Sequence, residues 1–138
     1  QGFANTSSSY AQEGTAAHEL AEMLTSYKLE RLSMKDFNEG YARIKAGPYF
    51  NAEMQEHVSA YAEYVLERYE QAKQRAPDAL IELEARLDFS RWVPEGFGTG
   101  DCAIIADGTM EIVDLKYGKA DELVRPGSVG RIRYTLRY

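Results

Sequence analysis

Asp107-Gly108, set between the apolar runs Cys102-Ala-Ile-Ile-Ala106 and Met110-Glu-Ile-Val113, constrains the fold more than any other dipeptide in this chain. Asp-Gly between two β-prone segments predicts a hairpin with a two-residue turn, because both central positions need positive φ. Pairing about that turn returns the end of the second strand to the start of the first. Asp101, which follows Gly98-Thr-Gly100, and Asp114 then come close together, and Lys116 shares a strand face with Asp114. Two adjacent carboxylates repel each other and favour a divalent cation between them. A lysine beside them can orient or deprotonate a water, so the pattern outlines a hydrolytic metal site. Each part also has a plainer meaning: Asp at a strand start is often a turn residue, and Asp-x-Lys on a strand is often a solvated ion pair.

Upstream, a helix is expected from near Ser9 or Tyr10, with Ser7, Ser8 and Ser9 as candidate caps and Ala17, Leu20, Ala21 and Leu24 as its apolar stripe. His18 and Glu22 are four apart on one face, so the helix can present an imidazole beside a carboxylate. Gly14, Ala16 and Ala17 are small and permit another backbone or a ligand to approach. Glu19 points elsewhere and reads as solvated. The zinc-protease pattern His-Glu-x-x-His is absent, because position 22 is Glu.

Taken together, Gly14-Thr-Ala-Ala-His18-Glu-Leu-Ala-Glu22, Gly98-Thr-Gly-Asp101 and Glu111-Ile-Val-Asp114-Leu-Lys116-Tyr-Gly-Lys resemble the motifs of the PD-(D/E)XK nuclease superfamily. The likeness is to its RecB-like branch, especially to phage and prophage exonuclease-type proteins, and runs over roughly residues 5 to 119. The resemblance implies that His18, Asp101, Asp114 and the backbone carbonyl of Leu115 hold a metal ion, and that Lys116 positions or activates the attacking water. Glu22 would stand behind the ligands or serve a second metal. Carboxylates, a carbonyl and water suit magnesium or manganese, and the imidazole shifts preference somewhat toward manganese. An iron–sulfur cluster is excluded, because Cys102 is the only cysteine.

The chain departs from the branch near its C-terminus. RecB-like nucleases usually carry a further helix with Gln-x-x-x-Tyr facing DNA; here Tyr134 could match the tyrosine, but Gly130 stands where glutamine is expected. The same region is rich in basic side chains: Lys116, Lys119, Arg125, Arg131, Arg133 and Arg137 stand against Asp121 and Glu122. Lys119, Arg131, Arg133 and Tyr134 are the candidate nucleic-acid contacts, and Tyr117, Tyr134 and Tyr138 could stack on unpaired bases. The competing reading is a solvated basic tail.

A net charge of −6 argues against non-specific coating of DNA but is compatible with a local basic groove. No apolar run reaches the roughly 18 residues of a membrane span, and no signal peptide is recognisable. A single cysteine rules out an internal disulfide and fits a cytoplasmic protein. Cys102, next to Asp101, points away from the proposed metal face. The 138 residues read as one domain, 1–138, incomplete at both ends since the first residue is Gln and the branch's last strand and helices are missing.

Elsewhere, a short helix is expected over Phe37 to Lys45, ended by Gly47-Pro48. Asn51 should cap a long helix to about Ala76, with Met54, Val58, Tyr61, Val65, Leu66 and Tyr69 on one face and His57 packed at its edge. Leu80 to Phe89 alternates as a first strand whose polar face carries Glu82 and Glu84, and Trp92 and Pro94 lie in a connector. Helices, three strands and a tail predict an α/β (α+β) fold with a helical N-terminal layer on a small mixed sheet, and the resemblance implies that its core is restriction-endonuclease-like. The expected activity is that of a metal-dependent DNA nuclease, which the resemblance implies to be an exonuclease hydrolysing phosphodiester bonds in phage DNA recombination, repair or replication. The alternative is a catalytically impaired DNA-binding accessory module. Expected partners are DNA and either a second copy of the chain or other phage recombination proteins, with no membrane.

Overall fold

A computed structural model describes residues 2–88, 97–115, 117 and 129–135, with side chains over 12–83, 101–115 and 117. Three helices precede four strands: α1 (Gly2–Lys28), α2 (Met34–Ala46), α3 (Ala52–Arg75), β1 (Leu80–Asp88), β2 (Phe97–Ala106), β3 (Thr109–Leu115) and β4 (Val129–Thr135). Helices followed by a sheet whose first three strands are antiparallel make this an α+β fold. The chain divides into two compact units, Gln1–Ala62 with Leu115–Val129 and Glu63–Asp114 with Gly130–Tyr138.

In the first unit, α1 begins at Gly2 rather than near Ser9 or Tyr10, and Ser7 to Ser9 lie inside it. No proline interrupts the segment, and serine costs a helix only a few tenths of a kcal/mol, so a cap-like composition does not force a cap. The helix ends in a Schellman turn: Arg31 N–H reaches Ser26 O at 2.8 Å and Glu30 N–H reaches Tyr27 O at 3.0 Å. The left-handed position falls on Glu30, with φ of 63°, where glycine is the usual choice. α2 starts at Met34 rather than Phe37, because Ser33 Oγ accepts from Asp36 N–H at 3.0 Å and caps a turn that composition alone marks as polar. Gly47 closes α2 as expected. Gly40 lets α2 lie close to α1, since a Cβ there would meet Met23 Sδ at 2.7 Å. Tyr27, Phe37 and Tyr41 stack with centroids 4.8 and 5.6 Å apart, bridging the two helices. Asn51 caps α3 through Oδ1, which accepts from Met54 N–H at 2.8 Å. The buried stripe Met54, Val58, Tyr61 and Ala62 joins Ala17, Leu20, Ala21 and Ile44 in this unit's core.

In the second unit, the sheet order is β1-β2-β3-β4, and β1–β2 and β2–β3 are antiparallel. The two-residue connection between β2 and β3 permits no other direction, and β1, β2 and β3 form an antiparallel meander. Asp107 and Gly108 have φ of 52° and 70°, the type I′ turn that the dipeptide predicts, and Ala106 pairs with Thr109 across it. Residues 129–135 form a fourth strand where a tail was expected, and where the resemblance would place a helix. Val129, Ile132, Tyr134 and Thr135 are good strand formers, and β3 offers them an edge to pair with. Cys102, Ala103, Ile104, Met110, Ile112 and Val113 are buried with Ile81, Val65 and Ala72. Among the described residues no helix is long and apolar enough to cross a membrane.

Candidate functional site

Strand alternation divides the hairpin into two faces. Cys102 pairs with Val113 and Ala103 with Ile112, so residues 101, 103 and 105 share a face with 110, 112 and 114. Asp101 and Asp114 occupy the end of that face away from the turn, and both are half-buried. The Asp101 N–H donates to Asp114 Oδ1 at 3.0 Å. The hairpin therefore brings these two carboxylate residues together, as their spacing predicts. One amide bond fixes the Asp114 carboxylate while leaving coordination capacity on a group that has two oxygens and about four lone-pair sites. Ala103, Met110 and Ile112 are buried on the same face. On β1, Glu84 falls between the Leu83–Cys102 and Ala85–Gly100 pairs, level with Asp101. Glu82, on that same face, is exposed.

The opposite face carries a residue that the motif reading passed over. Glu111, three residues before Asp114, is buried and accepts from Arg68 Nε of α3 at 3.0 Å. The two side chains are only 7% and 17% exposed. Hydrogen bonding to Glu111 is the first cause holding the Arg68 guanidinium above its usual pKa, and Arg68 Nη1 also donates to Gln71 Oε1 at 3.0 Å. A lone Glu inside Met-Glu-Ile-Val was the available signal, but nothing local pointed to Arg68. Cys102 is fully buried on this second face, as expected.

The other expected ligands belong to the first unit. His18 and Glu22 lie half-buried on α1, and the buried Leu115 closes β3. One turn before His18, a Cβ on Gly14 would stand 3.6 Å from the carbonyl oxygen of Tyr117. The small residue thus permits the close backbone approach expected of it, and the chain just beyond Leu115 runs beside the Gly14 turn of α1. Tyr117 is 9% exposed and packs on His57, with ring centroids 5.9 Å apart. Burial, followed by the negative charges of Glu53 and Glu13, pushes its phenol above the usual tyrosine pKa. A ring so enclosed is not the open stacking surface expected from sequence. His57 is a packing residue, as expected, with Nε2 3.8 Å from Glu53 Oε2.

Among the described residues no group of three or more His, Cys, Asp or Glu side chains is gathered as a metal site. The structure gathers the Asp101–Asp114 pair, and His18 belongs to the other unit. Lys116, Lys119, Arg125, Arg137, Tyr138, Trp92 and Pro94 lie outside the described residues, as do the side chains of Arg131, Arg133 and Tyr134, whose backbone forms part of β4.

Residues 1–125 match the family model described as Protein of unknown function (DUF2800), and the chain belongs to that family. No solved structure matches the chain.

Proposed function

We propose that this member of a family without an assigned function is a magnesium- or manganese-dependent DNA nuclease of RecB-like PD-(D/E)XK type, with a restriction-endonuclease-like core. Its reaction would be hydrolysis of phosphodiester bonds, as an exonuclease in phage DNA recombination, repair or replication. The observation that carries this reading is the Asp101 N–H to Asp114 Oδ1 bond at 3.0 Å, which supports a pair of carboxylates set side by side at the end of a rigid hairpin. The donor set His18, Asp101, Asp114 and the Leu115 carbonyl would hold the cation. Bound there, it supplies Lewis-acid polarisation of the scissile phosphate and acidifies a coordinated water. Asp101 contributes twice, through its carboxylate and through the amide that fixes Asp114. Glu22, one turn from His18, orients the imidazole. Lys116 orients the attacking water or stabilises charge on the transferring phosphate. Lys119, Arg131, Arg133 and Tyr134 hold the DNA strand.

A second reading has its own support. Residues 129–135 form a strand, and Gly130 stands in place of the expected glutamine, so the DNA-facing helix of the branch has no counterpart in that segment. An accessory module would keep DNA binding without turnover.

End-labelled linear single- and double-stranded DNA, incubated with manganese, magnesium or EDTA, separates the two. Asp114→Asn is the informative variant, because its amide oxygen still accepts from the Asp101 N–H while the charge is removed. Metal-dependent loss of label in the wild type, abolished in Asp114→Asn, establishes the nuclease. A gel shift without cleavage, weakening with salt, selects the accessory module, and neither result sinks both.

A further inference from the structure

Lys116 is flanked by two buried residues. Leu115 is 1% exposed at the end of β3, and Tyr117 is 9% exposed although it belongs to no helix or strand. Both belong to the same unit as α1 and the first part of α3. Tyr117 is held from two sides there. Its ring lies on His57 at 5.9 Å, and the His57 imidazole is in turn 3.8 Å from Glu53 Oε2. Its carbonyl faces Gly14, where a methyl group would just reach ordinary van der Waals contact at 3.6 Å and a longer side chain would press on the backbone. Leu115 and Tyr117 are therefore both anchored within the first unit.

We propose that Tyr117 is a positioning residue: seated between Gly14 of α1 and His57 of α3, it fixes the chain at Leu115–Tyr117 within the first unit and thereby sets where the Leu115 carbonyl is held. The anchoring stands on these contacts alone; its consequence for metal binding rests on the nuclease reading. A ring at this position is what the seat requires, since the ring packs on the imidazole and the backbone carbonyl meets Gly14. Phenylalanine keeps both features, and alanine keeps only the second.

Two measurements on the full chain test this in wild type, Tyr117→Phe, Tyr117→Ala and Gly14→Leu. In hydrogen exchange, Tyr117→Ala and Gly14→Leu should each speed exchange of the amides around Leu115 and Tyr117 by about tenfold or more, beyond any change in global stability. Tyr117→Phe should exchange at the wild-type rate. If exchange there changes only in step with global stability, or if Phe behaves as Ala does, the anchoring is overturned. Free manganese is then counted by paramagnetic resonance as each protein is titrated. Tyr117→Ala should weaken manganese binding by about tenfold, with Phe restoring it, in line with the loss of other residues that orient ligands. Equal binding by wild type and Tyr117→Ala overturns the positioning role. A wild type that binds no manganese but shows the expected exchange pattern retains the anchoring and brings down the nuclease reading instead.

Discussion

Glu111 and Asp114 lie three residues apart on β3 and so on opposite faces of it, and the structure treats the two carboxylates differently. Glu111 is buried and matched by the guanidinium of Arg68, which also donates to Gln71. Asp114 is half-buried at the strand's end and accepts a backbone amide. A buried charge with a hydrogen-bonded counter-ion belongs to the core, and losing either partner strands the other in low dielectric. A carboxylate tied by one amide beside a second carboxylate has its geometry fixed while its charge stays available. The same strand thus carries a buried, ion-paired carboxylate on one side and a half-buried, amide-bound one at its end on the other, and under the proposed function a substitution on either face should report on only one of them.

Glu111→Ala should break this comparison most severely. Removing it leaves the half-buried Arg68 guanidinium without its carboxylate, and the expected loss is about 1–3 kcal/mol of unfolding free energy, read from urea denaturation. Asp114→Asn should do the reverse. Its stability should change by less than about 1 kcal/mol, while metal-dependent cleavage falls by more than the roughly 10–100-fold typical of losing a residue that orients a ligand. If Asp114→Asn unfolds the protein, or Glu111→Ala leaves stability intact, the division between faces is wrong. A third change sets the scale for an ordinary local contact: Asn51→Ala removes the cap on Met54 N–H and should cost about 1 kcal/mol. Glu30→Gly should act with the opposite sign, raising stability by about 1 kcal/mol, because glycine relieves the left-handed strain at φ of 63°. Smallest of all is Arg43→Ala. Arg43 pairs with Glu19 at 2.6 Å, closer than Arg68 lies to Glu111, but on the open surface, and its loss should leave the denaturation midpoint unmoved. That contrast separates distance from burial as the source of an ion pair's value.

The parts of this molecule legible in its sequence were those fixed by short-range chemistry. Asp107-Gly108 demanded two positive φ values, and the turn then dictated the register that brings Asp101 to Asp114. Asn51 and Gly47 marked their helix ends by the same kind of local bonding. The start of α1 was misplaced because serines are tolerated within helices as well as at their caps. The Arg68–Glu111 pair spans 43 positions, and no periodicity links a basic residue on a helix to one acidic residue on a strand. The segment Val129–Thr135 became a strand because β3 had an edge to offer, a condition set by tertiary structure. Tyr117 carried a signal for base stacking only in its ring, and its neighbour His57 sits 60 positions earlier.

The two units alternate along the chain, and this has a consequence in time. The first unit takes its last piece from Leu115–Val129, after about 50 residues that belong to the second. A ribosome adding about 5–20 residues per second leaves α1 and α2 waiting roughly 4–18 s for Leu115 and Tyr117 to emerge. During that interval the hydrophobic seat on the helices has no native occupant, so a nascent chain stalled before residue 115 should be the form that chaperones hold and proteases find first.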